Sequence, residues 1–228
     1  MDAGFIVLAG GKSNRLGRDK KYEVVGGQPL LERVVSILST FGSEIILVTG
    51  EKTTLRADLN YSRIKIVTDL YPNRGSAGGI YSGLSASSAF HNLVVACDMP
   101  FLNLDLLRYL LDVRSNYDLV VFRHESFFEP LHAVYSKNCL PHLEHILKNN
   151  LRIIELLKYA SVRFIRLEEI ERFDPRRLSF FNVNSAVDLD TAQRIASGAD
   201  WEFKVNLGFE TKQPKVRPRT VNEHKTSV

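Results

Sequence analysis

Phe5-Ile6-Val7-Leu8-Ala9-Gly10-Gly11-Lys12-Ser13-Asn14-Arg15-Leu16-Gly17-Arg18-Asp19-Lys20 is the stretch from which the fold is read. Five apolar residues run straight into two glycines, as a buried strand does when it ends at a ligand-binding turn. Glycine lacks Cβ, so the N–H groups of Gly10 and Gly11 can approach phosphate oxygens closely. Lys12, Arg15, Arg18, Lys20 and Lys21 then face the single acid Asp19. A cluster of that kind suits a polyphosphate, and arginine can grip it through two N–H groups at once. A solvated basic rim on a glycine turn is the bland alternative. The loop is neither of two familiar kinds. A Walker A loop would need glycine where Ile6 stands, and no G-x-G-x-x-G is present.

Outward from this turn, short apolar runs alternate with helical periods. Glu44–Val48, Ile64–Val67 and Leu93–Cys97 read as further buried strands. Leu30, Leu31, Val34, Val35 and Leu38 mark one helix face. Another helix is expected over about residues 79–88, and Asn103 is a good N-cap for one carrying Leu104, Leu107, Leu110 and Leu111. Asp118–Phe122 and Leu131–Tyr135 add two strands, and a helical pair broken near Asn149-Asn150 fills 140–159. Such alternation predicts an α/β fold of three layers, Rossmann-like, with a mostly parallel central sheet.

The chain has 228 residues, 44% hydrophobic and 25% charged, enough for one substantial core. The expected domain spans 1–199. Residues 200–228 are polar and basic around Pro214 and Pro218 and read as a flexible tail. A net charge of +4 fits phosphate ligands and argues for neither nucleic acid nor a membrane. Cys97 and Cys139 form no disulfide framework and no zinc spacing. No apolar stretch approaches a bilayer span and no secretory leader is evident, so a cytoplasmic location is expected.

Leu-Ala-Gly-Gly-Lys-Ser-Asn-Arg-Leu-Gly-Arg-Asp-Lys resembles the signature of the molybdenum cofactor guanylyltransferases, within the sugar-nucleotide type of nucleotidyltransferase fold. The resemblance extends through Asp69, Gly75-Ser76-Ala77-Gly78-Gly79-Ile80, Cys97-Asp98-Met99-Pro100-Phe101 and Phe181-Asn182-Val183-Asn184, covering about residues 3–197. It implies GMP transfer from GTP to molybdopterin or its molybdenum form, with molybdoenzyme maturation proteins among the partners. Leu8, Ala9, Gly10, Gly11, Lys20, Asp69 and Asp98 would bind GTP, and Arg15, Lys20 and Asp98 would carry catalysis. Asn182, Asn184 and Arg152 would meet the acceptor. Arg152 follows Asn150 where relatives have Gly-x-Arg. In the 75–80 loop Ser76 and Ala77 replace the family's Pro and Leu.

Asp98, at the end of the fourth strand, would lie beside the glycine turn if the first and fourth strands are neighbours. A lone carboxylate there can hold Mg²⁺ while phosphate oxygens and water complete the octahedron. Strand-end aspartates also cap turns. That second role stays open for Asp98 and for Asp69, as an N-cap role does for Asn184. Glu129-Pro130-Leu131-His132 is given no chemistry, and His142 with His145 reads as a surface pair. Two rivals remain at this point. One is a CTP-dependent cytidylyltransferase of the same fold, where Leu-Ala-Ala-Gly is usual. The other is a noncatalytic nucleotide-binding partner of molybdoenzymes.

Overall fold

The computed structural model describes residues 2–10, 19–50, 64–124, 127–200 and 202–207. Seven strands form the central sheet: β1 (Ala3–Leu8), β4 (Ile45–Thr49), β5 (Ile64–Thr68), β6 (His91–Ala96), β7 (Leu119–His124), β8 (Phe127–Ser136) and β9 (Val162–Ile165). Their order is β5-β4-β1-β6-β8-β7-β9. The strands β5, β4, β1 and β6 run parallel, as do β7 and β9, whereas β8 is antiparallel to both its neighbours. The expected mostly parallel sheet is therefore present. The remaining two strands, β2 (Val24–Val25) and β3 (Gln28–Pro29), make a small ribbon turned by Gly26 and Gly27, both at positive φ. Two successive glycines there meet the need of a tight two-residue hairpin.

Alternation along β1 sends its side chains to two different cores. Phe5 and Val7 join Leu31, Val34, Leu38, Leu107 and Leu111 on one face. Those partners come from α1 (Leu30–Ser39) and α3 (Leu104–Asp112). Ile6 joins Ile80, Leu84, Leu143 and Ile146 on the other, from α2 (Gly75–Ala86) and α4 (Cys139–Lys148). Each such fully buried Leu or Ile contributes roughly 1.5–3 kcal/mol relative to exposure. The three layers follow directly.

Helix starts obey local chemistry. Asn103 caps α3 by accepting from the N–H groups of Asp105 (3.0 Å) and Leu106 (2.9 Å). Ser185 and Asp188 form a reciprocal capping box at α6 (Ala186–Ala196). The helical pair expected over 140–159 resolves into α4 and a 3-10 segment, Ile153–Lys158. The short α5 (Leu167–Glu171) precedes a buried hinge, where Asp174 accepts from Leu178 N (3.1 Å) and Ser179 N (2.8 Å).

Residues 202–207, which the sequence reading assigned to the tail, pack on the domain. Leu207 is buried, the Phe203 ring meets Phe181 at 5.6 Å, and Lys204 pairs with Glu171 at 2.8 Å. Residues 208–228 lie outside the described residues.

Candidate active site

Parallel pairing of β1 with β6 puts Leu8 beside Ala96. Both strands release their chains at the same sheet edge, where open α/β sheets take ligands. A cleft of about 380 Å³ opens there. Its walls include Leu8, Ala9, Gly10, Lys20, Asp69, Asp98, Asn182 and Asn184. Eight of the residues expected at the site thus share one cavity. Gly11 and Arg15, with the cations Lys12 and Arg18, lie outside the described residues. Arg152 is exposed at the start of the 3-10 segment and is not among the cleft-lining residues.

The turn after β1 is tied into the sheet. Ala9 N–H donates to Val48 O at 2.8 Å and Cys97 N–H to Leu8 O at 3.0 Å. Lys20, on a 3-10 turn over Lys20–Tyr22, is folded back to the same edge. Its Nζ donates to Asp98 Oδ2 and, at 3.2 Å, to Asn184 Oδ1. Lys21 is buried and pairs with Asp19. The basic run is therefore not a solvated rim where it is described: Lys20 joins Asp98 to Asn184, and Lys21 is used internally.

Asp98 is 5% exposed. Lys20 covers Oδ2, whereas Oδ1 is buried without a hydrogen-bond partner among the described residues. Burying a carboxylate oxygen in this state is costly unless something binds it. The turn-capping alternative would have given that oxygen an N–H. Among the described residues no group of three or more His, Cys, Asp or Glu is arranged for a metal. A single carboxylate anchor at this cleft nevertheless fits Mg²⁺, which binds through one or two carboxylates plus phosphate oxygens and water.

Asp69 has a double part. Its Oδ1 accepts from Tyr71 N and from Ser82 Oγ, both at 3.0 Å, so it does shape the strand-end turn. It also faces the cleft. Helix α2 presses close to that wall through glycines. A Cβ on Gly79 would meet Leu8 Cδ2 at 3.0 Å, and one on Gly78 would meet Tyr71 O at 2.5 Å.

Asn182 Nδ2 donates to Phe180 O at 3.2 Å. The Asn184 backbone N–H donates to Asp188 Oδ2 at 3.0 Å, within the α6 cap, which leaves its side-chain oxygen for Lys20. Cys97 is buried beside Asp98. Burial, reinforced by that carboxylate, pushes its thiol up to about 12, so it remains an inert apolar group. His142 stacks on Tyr159 at 5.3 Å and takes no part.

Glu129 is an acidic cleft residue that the sequence reading missed. It lines the cavity near Leu131, and its Oε1 accepts from Leu131 N at 3.0 Å. Burial pushes its carboxyl up to about 7. The Asp98 charge adds to the rise, and the Leu131 N–H opposes it. The available signal was an acid immediately before a proline at a strand bend, which local patterning alone does not place beside β6.

The sequence model of the MobA-like NTP transferase domain matches residues 5–162. A probable molybdenum cofactor guanylyltransferase of Pelotomaculum thermopropionicum is 34% identical over 196 residues, covering 85% of this chain and 93% of that protein. A second protein of that description, from Peptoclostridium acidaminophilum, is 30% identical over 89% of this chain and 93% of its own. Among solved structures, molybdopterin-guanine dinucleotide biosynthesis protein A of Archaeoglobus fulgidus superposes with a TM-score of 0.73 at 28% identity, covering 86% and 99% of the two chains.

Proposed function

The chain belongs to the MobA-like NTP transferase family, and from that premise we infer that it is a guanylyltransferase, moving GMP from GTP to molybdopterin with release of pyrophosphate. The observation that carries the reading is the Lys20–Asp98–Asn184 constellation, with one Asp98 oxygen left bare, at the joint carboxyl edge of β1 and β6.

The reaction forms a bond from an acceptor phosphate oxygen to the α-phosphorus of GTP. The bond from that phosphorus to the bridging oxygen breaks, and pyrophosphate departs with the electron pair. The acceptor, with or without molybdenum, is already anionic, so no strong base is needed. The protein's contribution is placement and charge balance. Leu8, Ala9 and Gly10 carry base and sugar on the β1 edge, joined by Gly11. Asp69, held by Ser82, borders the nucleotide. Lys20 and Arg15 offset charge gathering on the pyrophosphate. Asn182 and Asn184 receive the acceptor, and Arg152 is given no contact because it stands outside the cleft lining.

Asp98 Oδ1 would hold Mg²⁺, which when bound supplies neutralising charge to the phosphates. On this reading the chain works in the cytoplasm, where its nucleotide is held. No helix among the described residues is long and apolar enough to cross a membrane. The cytidylyl alternative is not favoured by relatives described as guanylyltransferases. The test is pyrophosphate release from GTP or CTP with purified molybdopterin and Mg²⁺. GTP turnover that disappears in Asp98→Ala is expected. Turnover of CTP alone would overturn the nucleotide assignment, and unchanged turnover in Asp98→Ala would overturn the site.

A further inference from the structure

The functional reading uses Asp98 and Asp69 in the cleft, yet the cleft holds a further carboxylate, Glu129, that no part of that reading employs. Strand β8 lies antiparallel on β6, with His91 opposite Ser136 and Val94 opposite Ala133. That register runs toward Asp98 at the end of one strand and Glu129 near the start of the other. The two side chains line the same cavity, and the Asp98 charge is felt at Glu129.

Glu129 is held in one pose. Leu131 N–H fixes Oε1 at 3.0 Å, the only hydrogen bond Glu129 makes among the described residues, and Oε2 is left over. Asp98 shows the same division, with Oδ2 on Lys20 and Oδ1 bare and buried. Two acids so placed repel each other and any phosphate that enters. A hard divalent cation reverses both effects and takes carboxylate oxygens as ligands. Lys20 cannot do this for Glu129 while it spans Asp98 and Asn184.

We propose that Glu129 is the second carboxylate of the cation site, binding through Oε2 the same divalent ion that Asp98 binds through Oδ1. The inference rests on the metal reading above. The Leu131 N–H then acts as the outer partner that orients this ligand, as hydrogen bonds to metal-bound carboxylates commonly do. Glu129→Gln is the informative variant because its amide oxygen can still accept from Leu131 while the charge is gone. Glu129→Asp keeps the charge and withdraws it by one methylene.

The probe is Mn²⁺, titrated into the full chain at pH 7.5 with and without the α,β-methylene analogue of GTP, free Mn²⁺ being read by electron paramagnetic resonance. Affinity should fall about ten-fold or more in Glu129→Gln and several-fold in Glu129→Asp. Affinity within two-fold of the parent in Glu129→Gln overturns the proposal. So does parental affinity in Glu129→Asp, because that pattern is a field effect without ligation. Asp98→Asn separates the two levels of the argument. If it loses Mn²⁺ while Glu129→Gln keeps it, the cation site stands and Glu129 is no part of it. If Asp98→Asn retains full Mn²⁺ and nucleotide affinity, the metal reading itself has failed.

Discussion

The backbone N–H of Val183 donates to the carbonyl of Asp98 at 3.0 Å. This bond sews the segment carrying Asn182 and Asn184 to the strand end that carries the bare carboxylate. These segments are more than eighty positions apart in sequence, and a main-chain contact holds them together alongside the Lys20 side-chain bridge. Behind it, Phe181 and Val183 pack with Val25, Leu30 and Ala192, so the segment proposed to receive the acceptor rests on α6 and the β2–β3 ribbon. Preorganisation of this sort is what a reaction dependent on placement requires.

Lys20→Met is expected to damage both stability and turnover. It removes the cation from a carboxylate that is almost fully enclosed, and stranding such a charge is the costly way to break a buried pair. The lysine side chain keeps 23% exposure, so the cost should be about 2 kcal/mol, below that of a wholly buried pair. The rate at saturating GTP should fall about 100-fold or more through lost charge balance. Urea unfolding and single-turnover rates check the two effects separately. A variant as stable and as fast as the parent would remove Lys20 from the account.

Gly75→Ala and Gly78→Ala should differ in mechanism as well as in cost. Gly75 sits at φ +62° with open space where a Cβ would go, so alanine meets backbone strain of about 1 kcal/mol and no clash. Gly78 has an ordinary backbone, but its added Cβ would lie 2.5 Å from Tyr71 O and 3.1 Å from Asp69 Oδ1. Relief requires moving the turn that Asp69 holds. A loss of about 1–3 kcal/mol, typical of overpacking, is expected with a raised KM for GTP. Melting and initial rates measured for both decide it. Equal effects on KM would show that proximity to Asp69 is irrelevant.

Much of this architecture was legible in local patterning. The N-cap at Asn103 follows from capping chemistry, and the pairing of the first and fourth strands from the order of a Rossmann-like sheet. The short β9 was not. It is a four-residue edge strand, and its Arg163 and exposed Phe164 break the apolar pattern. What makes it a strand is a parallel partnership with β7, supplied by distant residues. The Asp98, Lys20 and Asn184 group was readable because each sits in a motif at the end of a regular element. Glu129 was hidden because only the antiparallel insertion of β8 brings it to Asp98. The 202–207 segment looked like tail because its anchors, Phe203, Val205 and Leu207, are interleaved with polar residues.

Asp188→Ala offers a test of the acceptor wall at a distance from the phosphates. One of its oxygens accepts from the N–H groups of Asn184 and Ser185 at 3.0 and 2.8 Å. Losing this half of the capping box should cost about 1 kcal/mol. It also frees the Asn184 backbone, so KM for molybdopterin should rise several-fold while KM for GTP stays near the parental value. Steady-state kinetics with each substrate varied in turn will show the split. A rise confined to the GTP constant would put Asn184 on the wrong side of the cleft.

The pH dependence of stability should carry two opposing slopes, from His132 and Glu129. His132 is fully enclosed against Phe180, at φ +62°, and neither ring nitrogen has a hydrogen-bond partner among the described residues. Burial pulls its pKa from 6.5 down to about 4. Between those values the unfolded chain binds a proton that the folded chain refuses, so stability falls as pH drops through the window, by about 3 kcal/mol in all. Glu129 behaves in the reverse sense, since burial and Asp98 raise its carboxyl from 4.5 to about 7. There the folded chain keeps a proton that the unfolded chain releases, and stability falls as pH climbs, by about 2 kcal/mol after allowing for partial exposure. From about pH 4.5 to 6.5 the two contributions largely offset each other, so this pair should leave little net slope in the parent. Glu129→Gln should therefore unmask a loss of stability on acidification, whereas His132→Phe should unmask a loss on the way to neutrality. The phenylalanine variant should also be more stable than the parent near pH 4.5, because it removes an orphaned imidazole from the core. Urea unfolding at pH 4.5, 5.5, 6.5 and 7.5, without nucleotide or divalent cation, measures all three, and parallel curves for the two variants would refute the assignment.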